Sequence, residues 1–92
     1  MKTHRSKTRT LQIVNELGLH ARSAAKLAKL AGDATGGVWI TKNGDTADAA
    51  SLLDVLTLAC PKGATITIRV DDDTDLDILE RIETLVRSGF GE

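Results

Sequence analysis

Residues 8–32 read Thr8-Arg9-Thr10-Leu11-Gln12-Ile13-Val14, then Asn15-Glu16-Leu17-Gly18-Leu19, then His20-Ala21-Arg22-Ser23-Ala24-Ala25-Lys26-Leu27-Ala28-Lys29-Leu30-Ala31-Gly32. The first part has a period of two: Leu11 and Ile13 alternate with Thr10 and Gln12, which predicts a strand over 8–14 with one buried face. Asn15-Glu16-Leu17-Gly18 breaks that strand. The period then changes. Ala24, Leu27, Ala28 and Ala31 recur at helical spacing, with Lys26 and Lys29 off the stripe, which predicts a helix over 20–31. Alanine favours the helix and lets it lie close to a sheet, and Gly32 is a stop.

Working outward, Val38-Trp39-Ile40-Thr41 is β-branched and aromatic and predicts a second strand. Asn43-Gly44 is a strong hairpin signal, so a short third strand is expected from Asp45 to about Ala47. Ser51 caps a short helix carrying Leu52, Val55, Leu56 and Ala59, with Asp54 adding a favourable charge to the first turn. Pro61-Lys62-Gly63 turns the chain into a fourth strand over 64–70, where Ile66, Ile68 and Val70 alternate with Thr65, Thr67 and Arg69. Asp71–Asp73 and Thr74 lead into a last helix, up to about Ser88, with Leu79, Ile82, Leu85 and Val86 as its stripe. The order β-α-β-β-α-β-α fits an α+β open-faced sandwich: one four-stranded antiparallel sheet with three helices on one face.

The 92 residues make one domain, expected over 8–92, behind a flexible basic tail at 1–7. A domain this small buries only roughly 60–65% of its unfolded surface, so a surface site or one shared with a partner is expected. The net charge of −1 gives no bias toward nucleic acid. The basic start, Lys2, Arg5, Lys7 and Arg9, has no interleaved aromatics to stack on bases. It also has no apolar run to act as a signal peptide, and nothing in the chain is long and apolar enough to span a membrane. Cys60 stands alone, so no internal disulfide forms; a small core residue in a cytoplasmic protein is expected. The acidic run 71–73 lacks the glycine and terminal glutamate of an EF-hand and is explained by the helix it precedes.

His20 lies where a glycine-containing loop meets an alanine-rich helix. There the first-turn N–H groups are unpaired and the helix end is partly positive, which makes an anion site. Arg22 adds a guanidinium for phosphate oxygens, and Ser23 a hydroxyl or amide. Helix end and arginine both work against a protonated imidazole and keep a ring nitrogen free as nucleophile. On the residues alone, phosphoryl acceptor and simple helix cap are equally supported, although histidine is a poor cap. No metal is expected, because His20 has no second His or Cys at ligand spacing. A Ser/His/Asp hydrolase would need a nucleophile elbow, which is absent.

Gly18-Leu19-His20-Ala21-Arg22-Ser23-Ala24 resembles the active-site motif of the histidine-containing phosphocarrier (HPr) family of the phosphoenolpyruvate-dependent phosphotransferase system. Asn43–Thr46, Ala50–Leu53, Leu56–Leu58 and Lys62–Ile68 are similar to further segments of that family in the same order, so the resemblance covers about residues 8–90. It implies a phosphocarrier, not an enzyme, that takes a phosphoryl group from enzyme I on His20 Nδ1. The group then passes to an enzyme IIA-type acceptor, in sugar uptake or regulation. Arg22 would be the phosphate partner, with the amides of Ala21 and Arg22 on the phosphate oxygens. Leu52, Leu53 and Leu56 would dock partners, though one or two of them must also serve the core. Ser51 matches a serine that an HPr kinase/phosphorylase modifies in some members; as a residue it is a helix cap. No cofactor is implied, and a cytoplasmic monomer is expected. Two departures stand out: Ser23 replaces the usual proline, which pre-sets the first helical turn, and Asp54 replaces a lysine or glycine. They keep open a non-carrier regulatory domain of the same fold.

Overall fold

The computed structural model describes residues 6–92. Its elements are β1 (Thr8–Gln12), α1 (Ala21–Gly32), β2 (Val38–Lys42), β3 (Asp45–Asp48), α2 (Leu52–Leu56), β4 (Thr65–Val70) and α3 (Leu76–Arg87), with 3-10 turns at Asp73–Asp75 and Gly89–Gly91. The order is the one expected. The expected tail at 1–7 falls mostly outside the described residues. Within them, Lys7 already accepts the Val70 N–H through its carbonyl, at 2.9 Å.

The four strands lie in the order β1-β4-β2-β3, every neighbouring pair antiparallel. Pairing places Leu11 opposite Ile66 and Ile40 opposite both Ile68 and Ala47. These residues turn to one face, and all are buried. Alternation then sends Thr10, Thr67, Thr41 and Thr46 to the other face as one row across the sheet, with hydroxyl contacts at 3.3 Å (Thr10–Thr67) and 2.9 Å (Thr41–Thr46). The helices cover the apolar face. Ala24, Leu27 and Ala31 of α1, Val55 of α2, and Leu79, Ile82 and Val86 of α3 are buried on it. Of the side chains expected from helical spacing, these seven are buried, whereas Ala28, Leu52, Leu56 and Leu85 are only half-buried and Ala59 is exposed.

Element ends differ from expectation where hydrogen bonding decides them. β1 stops at Gln12, although Ile13 still donates to Ala64 O and accepts from Gly63 N. The short helix stops at Leu56 instead of reaching Ala59, because Ala59 takes φ +50°. Lys42 Nζ sits over that end, donating to the Leu58 and Ala59 carbonyls at 3.0 and 2.8 Å. This pairs two carbonyls of the turn just beyond the helix, with a charge of the sign that a helix C-terminus favours. The acidic run has structural partners. Asp72 caps the Asp73–Asp75 turn by accepting from Thr74 N at 2.9 Å. Buried Asp75 accepts from Thr35 N and Gly36 N, both at 2.8 Å, and pins the connection between α1 and β2.

Cys60 is buried, and desolvation pushes its thiol pKa up, partly offset by Lys42. Leu85 is only half-buried, whereas Phe90, beyond the last helix, is fully buried.

Candidate functional site

The loop between β1 and α1 is held from below. Gly18 has φ +65°, and a Cβ there would lie 2.4 Å from Cys60 O and 2.9 Å from Pro61 Cα. Only glycine meets both demands. The close approach lets Leu19 N donate to Cys60 O at 2.8 Å, and Leu19 itself is buried. The next residue, His20, is thus presented from an anchored turn.

His20 is the N-cap of α1, in extended conformation (φ −115°, ψ −176°), and its carbonyl accepts the first helical bond from Ala24 N at 2.8 Å. Its ring Nδ1 accepts from Arg22 N at 3.3 Å. Its ring Nε2 is 2.5 Å from Glu92 Oε2. The two expectations for His20, cap and nucleophile, are therefore not alternatives. Capping requires a lone pair on Nδ1, and that lone pair is what a nucleophile needs.

Ser23 lies inside the turn, fully buried. Its Oγ accepts from His20 N at 3.0 Å and donates to Gly18 O at 2.9 Å. The hydroxyl is thus committed to the loop and is not presented to a ligand. It also changes the meaning of the missing proline. A serine at this place closes the start of the helix by a reciprocal cap in which the His20 side chain and the Ser23 side chain each accept from the other's end of the turn. The serine hydroxyl thus ties the first helical turn that the usual proline would pre-set.

Ala21 and Arg22 are exposed at the head of the helix. The Arg22 side chain lines a groove of about 580 Å³ with Val14, Asn15, Glu16, Leu17, Arg87, Ser88, Gly89 and Glu92. A hollow of similar size, about 610 Å³, lies among Leu30, Asp77, Arg81 and Leu85 and includes none of the residues around His20.

Ser51 and the three leucines form a second group on α2, which packs against α1. Ser51 Oγ caps α2 by accepting from Asp54 N at 3.2 Å. The leucines divide as one helical face must: Leu52 and Leu56 are half-buried against the core, while Leu53 is 76% exposed. Among the described residues no hydrogen bond or ion pair joins this group to His20. No three His, Cys, Asp or Glu side chains among the described residues could together hold a metal ion, and no helix among them is long and apolar enough to cross a membrane.

Sequence reasoning did not find Glu92 or Asn15. Glu92 Oε1 accepts from Asn15 Nδ2 at 2.9 Å, and the same Nδ2 donates to Gly18 O at 2.8 Å. The Asn15 hydrogen bond, with His20 and Arg22 adding to it, holds the Glu92 carboxyl below its ordinary pKa. Glu92 is therefore a carboxylate at the ring face where the sequence offered only positive neighbours. Asn15 stands close to His20 in sequence and was open to a local argument; Glu92 is 72 residues away and carries no local signal.

The model of the family described as the PTS HPr component phosphorylation site matches residues 7–88. The chain belongs to the PTS HPr family. HPr proteins are phosphocarriers of the phosphotransferase system, so this chain is a member of a phosphotransfer chain. Among curated relatives, the phosphocarrier protein HPr of Cupriavidus necator is 38% identical over 84 residues, spanning 91% of this chain and 94% of that protein. The phosphocarrier protein NPr of Shewanella violacea is 41% identical over 85 residues, spanning 91% and 92%. The crystal structure of HPr-C-His from Thermoanaerobacter tengcongensis has the same fold, with a TM-score of 0.88 at 28% identity, covering 94% of this chain and 97% of that one. The four-stranded antiparallel sheet with three helices is the HPr open-faced sandwich.

Proposed function

We propose that His20 Nδ1 is the atom that carries the phosphoryl group. The observation that carries this reading is the lone pair on Nδ1, presented at the N-terminus of α1 and oriented by the Arg22 amide. Nδ1 attacks the phosphorus of a phosphorylated donor, enzyme I by resemblance. The N–P bond forms as the donor–phosphorus bond breaks, and the donor atom leaves with the electron pair. The phosphoryl group then displaces the Arg22 N–H from Nδ1. That amide and the Ala21 amide, at the positive end of the helix, are free to hold its oxygens. The Arg22 guanidinium, on an unhindered exposed stem, adds charge that a dianionic group requires. Transfer onward to an enzyme IIA-type acceptor is the same displacement run in reverse.

Such a protein is a carrier rather than an enzyme, because the transferred group rests on its own side chain. Leu53 is the apolar contact offered to partners, with the exposed edges of Leu52 and Leu56 beside it. The protein is read as a cytoplasmic monomer that meets each partner transiently.

Ser51 is the residue that the resemblance offers for regulatory phosphorylation. Its geometry favours capping: Asp54, in the same first turn, already places a carboxylate there, and Asp54 Oδ2 is held by the Asp48 N–H at 2.7 Å. Treatment with an HPr kinase tests this directly, since labelled Ser51 would establish the regulatory role. The non-carrier alternative rested partly on Ser23, and the closed turn that Ser23 makes supports the carrier reading instead.

Incubation with phosphoenolpyruvate and enzyme I is expected to give an acid-labile label on the wild type and none on His20→Ala. Full labelling of His20→Ala would refute the assignment.

A further inference from the structure

The ring of His20 is held at both nitrogens, and both contacts demand the same tautomer. Nδ1 receives an N–H from Arg22, so it carries no proton. Nε2 faces the Glu92 carboxylate at 2.5 Å, so it carries the proton and donates it. We infer that Glu92, itself held by Asn15, is a positioning residue that keeps the His20 proton on Nε2 and the lone pair on Nδ1. This deepens the reading of His20 as the phosphoryl carrier and rests on it.

Two independent features show that the arrangement is built at some cost to the fold. The first is the path of the chain after α3. Gly89, Phe90 and Gly91 take φ of +67°, +60° and +72° in succession. A non-glycine residue in this region is strained by about 1–2 kcal/mol, and Phe90 accepts that strain. Its ring is fully buried, and Lys26 Nζ donates to its carbonyl at 2.6 Å. The reversal anchored in this way lays Glu92 against His20.

The second feature is Asn15, which is 6% exposed. Its Nδ2 donates to Glu92 Oε1 and Gly18 O, while its Oδ1 is the one buried side-chain polar atom without a partner among the described residues. Turning the amide over would bring Oδ1 against two acceptors, so these contacts fix its orientation. An orphaned buried acceptor normally needs an explanation. Holding Glu92 on His20 supplies one.

The chemistry follows from where charge develops. As the Nδ1–P bond forms and the donor leaves with its electron pair, the ring becomes positive with its proton still on Nε2. The Glu92 carboxylate faces that N–H, so it is worth more in the transition state than before it. The groups facing the ring pair are Asn15, Arg22 and Glu92 itself, and of these only Glu92 opposes the positive charge.

Ring nitrogen-15 NMR of His20, together with the rate of labelling by phosphoenolpyruvate and enzyme I, tests the inference on wild type, Glu92→Ala and Glu92→Gln. The wild-type ring is expected as the Nε2–H tautomer. Glu92→Ala is expected to show mixed tautomers and labelling slowed about tenfold, less than the ~10⁴ seen when a fully buried orienting carboxylate is lost. Glu92→Gln keeps an acceptor without the charge, so the tautomer should recover while the rate recovers only in part. An unchanged tautomer or an unchanged rate in Glu92→Ala would overturn the inference, even with His20 confirmed as the carrier by loss of label in His20→Ala. A wild type that takes no label would overturn the carrier reading, and this inference with it.

Discussion

Replacing Ser23 by alanine removes one oxygen from the best-ordered part of the site. Ser23 Oγ accepts the His20 N–H at 3.0 Å and donates to Gly18 O at 2.9 Å, and the residue is fully buried. Gly18 O keeps a second donor, Asn15 Nδ2 at 2.8 Å, so its loss is that of an ordinary net hydrogen bond, about 0.5–1.5 kcal/mol. The His20 N–H keeps no such substitute, and an orphaned donor costs about 1–3 kcal/mol, toward the lower end here because His20 is only half-buried. Together these give a destabilisation of about 2 kcal/mol. For a domain of this size that is roughly 8–16 °C in Tm. Urea unfolding should show a lower midpoint with an unchanged slope, since the surface exposed on unfolding is the same. Labelling through enzyme I should slow as well, because the turn that presents Nδ1 loses its tie. A loss below about 0.5 kcal/mol would refute the claim that this serine replaces proline as the fastener of the helix start. Ser23→Pro is the informative companion. It restores a pre-set φ at the first turn but removes both hydroxyl bonds, so it should recover only part of the lost stability.

Gly18→Ala should cost roughly 3 kcal/mol or more, because positive φ and a Cβ 2.4 Å from Cys60 O act together; thermal unfolding measures it. Ala59→Gly should stabilise by about 0.5–1 kcal/mol, since Ala59 already holds φ +50° and relief of that strain exceeds the entropy that glycine adds, as urea midpoints would show. Leu53→Glu should leave stability within about 0.5 kcal/mol, as expected for an exposed surface position, while weakening enzyme I binding in calorimetry. Glu92 has its pKa lowered in the folded protein, so its contribution to stability is present above the ordinary carboxylate pKa and is lost as pH falls through the lowered value. Asn15→Ala should move the Glu92 carboxyl back up in a carbon-13 NMR titration, since Asn15 is the first cause of the shift.

Local pattern carried much of this protein. A period of two in 8–14 and 64–70, a period near 3.6 in 20–31 and 76–86, and Asn43-Gly44 between two short strands were enough to order the elements, because each reflects a geometry that a segment adopts against any apolar surface. His20, Ala21, Arg22 and Ser23 stand together for the same reason: a helix start is local. What no single segment holds is the pairing of ends distant in sequence. That β4 sits between β1 and β2 is decided by how Leu11, Ile40, Ile66 and Ile68 share one face. The turn after α2 is likewise tied from a distance, by Lys42 of β2 donating to the Leu58 and Ala59 carbonyls. The fastening by Ser23 is, by contrast, local: its hydroxyl meets Gly18 O and His20 N, both within five residues of it. The carboxylate on His20 arrives across 72 residues, through a buried Phe90 and a chain reversal that helical periodicity does not describe. The sequence determined that a histidine heads this helix; only the tertiary structure brought a distant carboxylate to its second ring nitrogen.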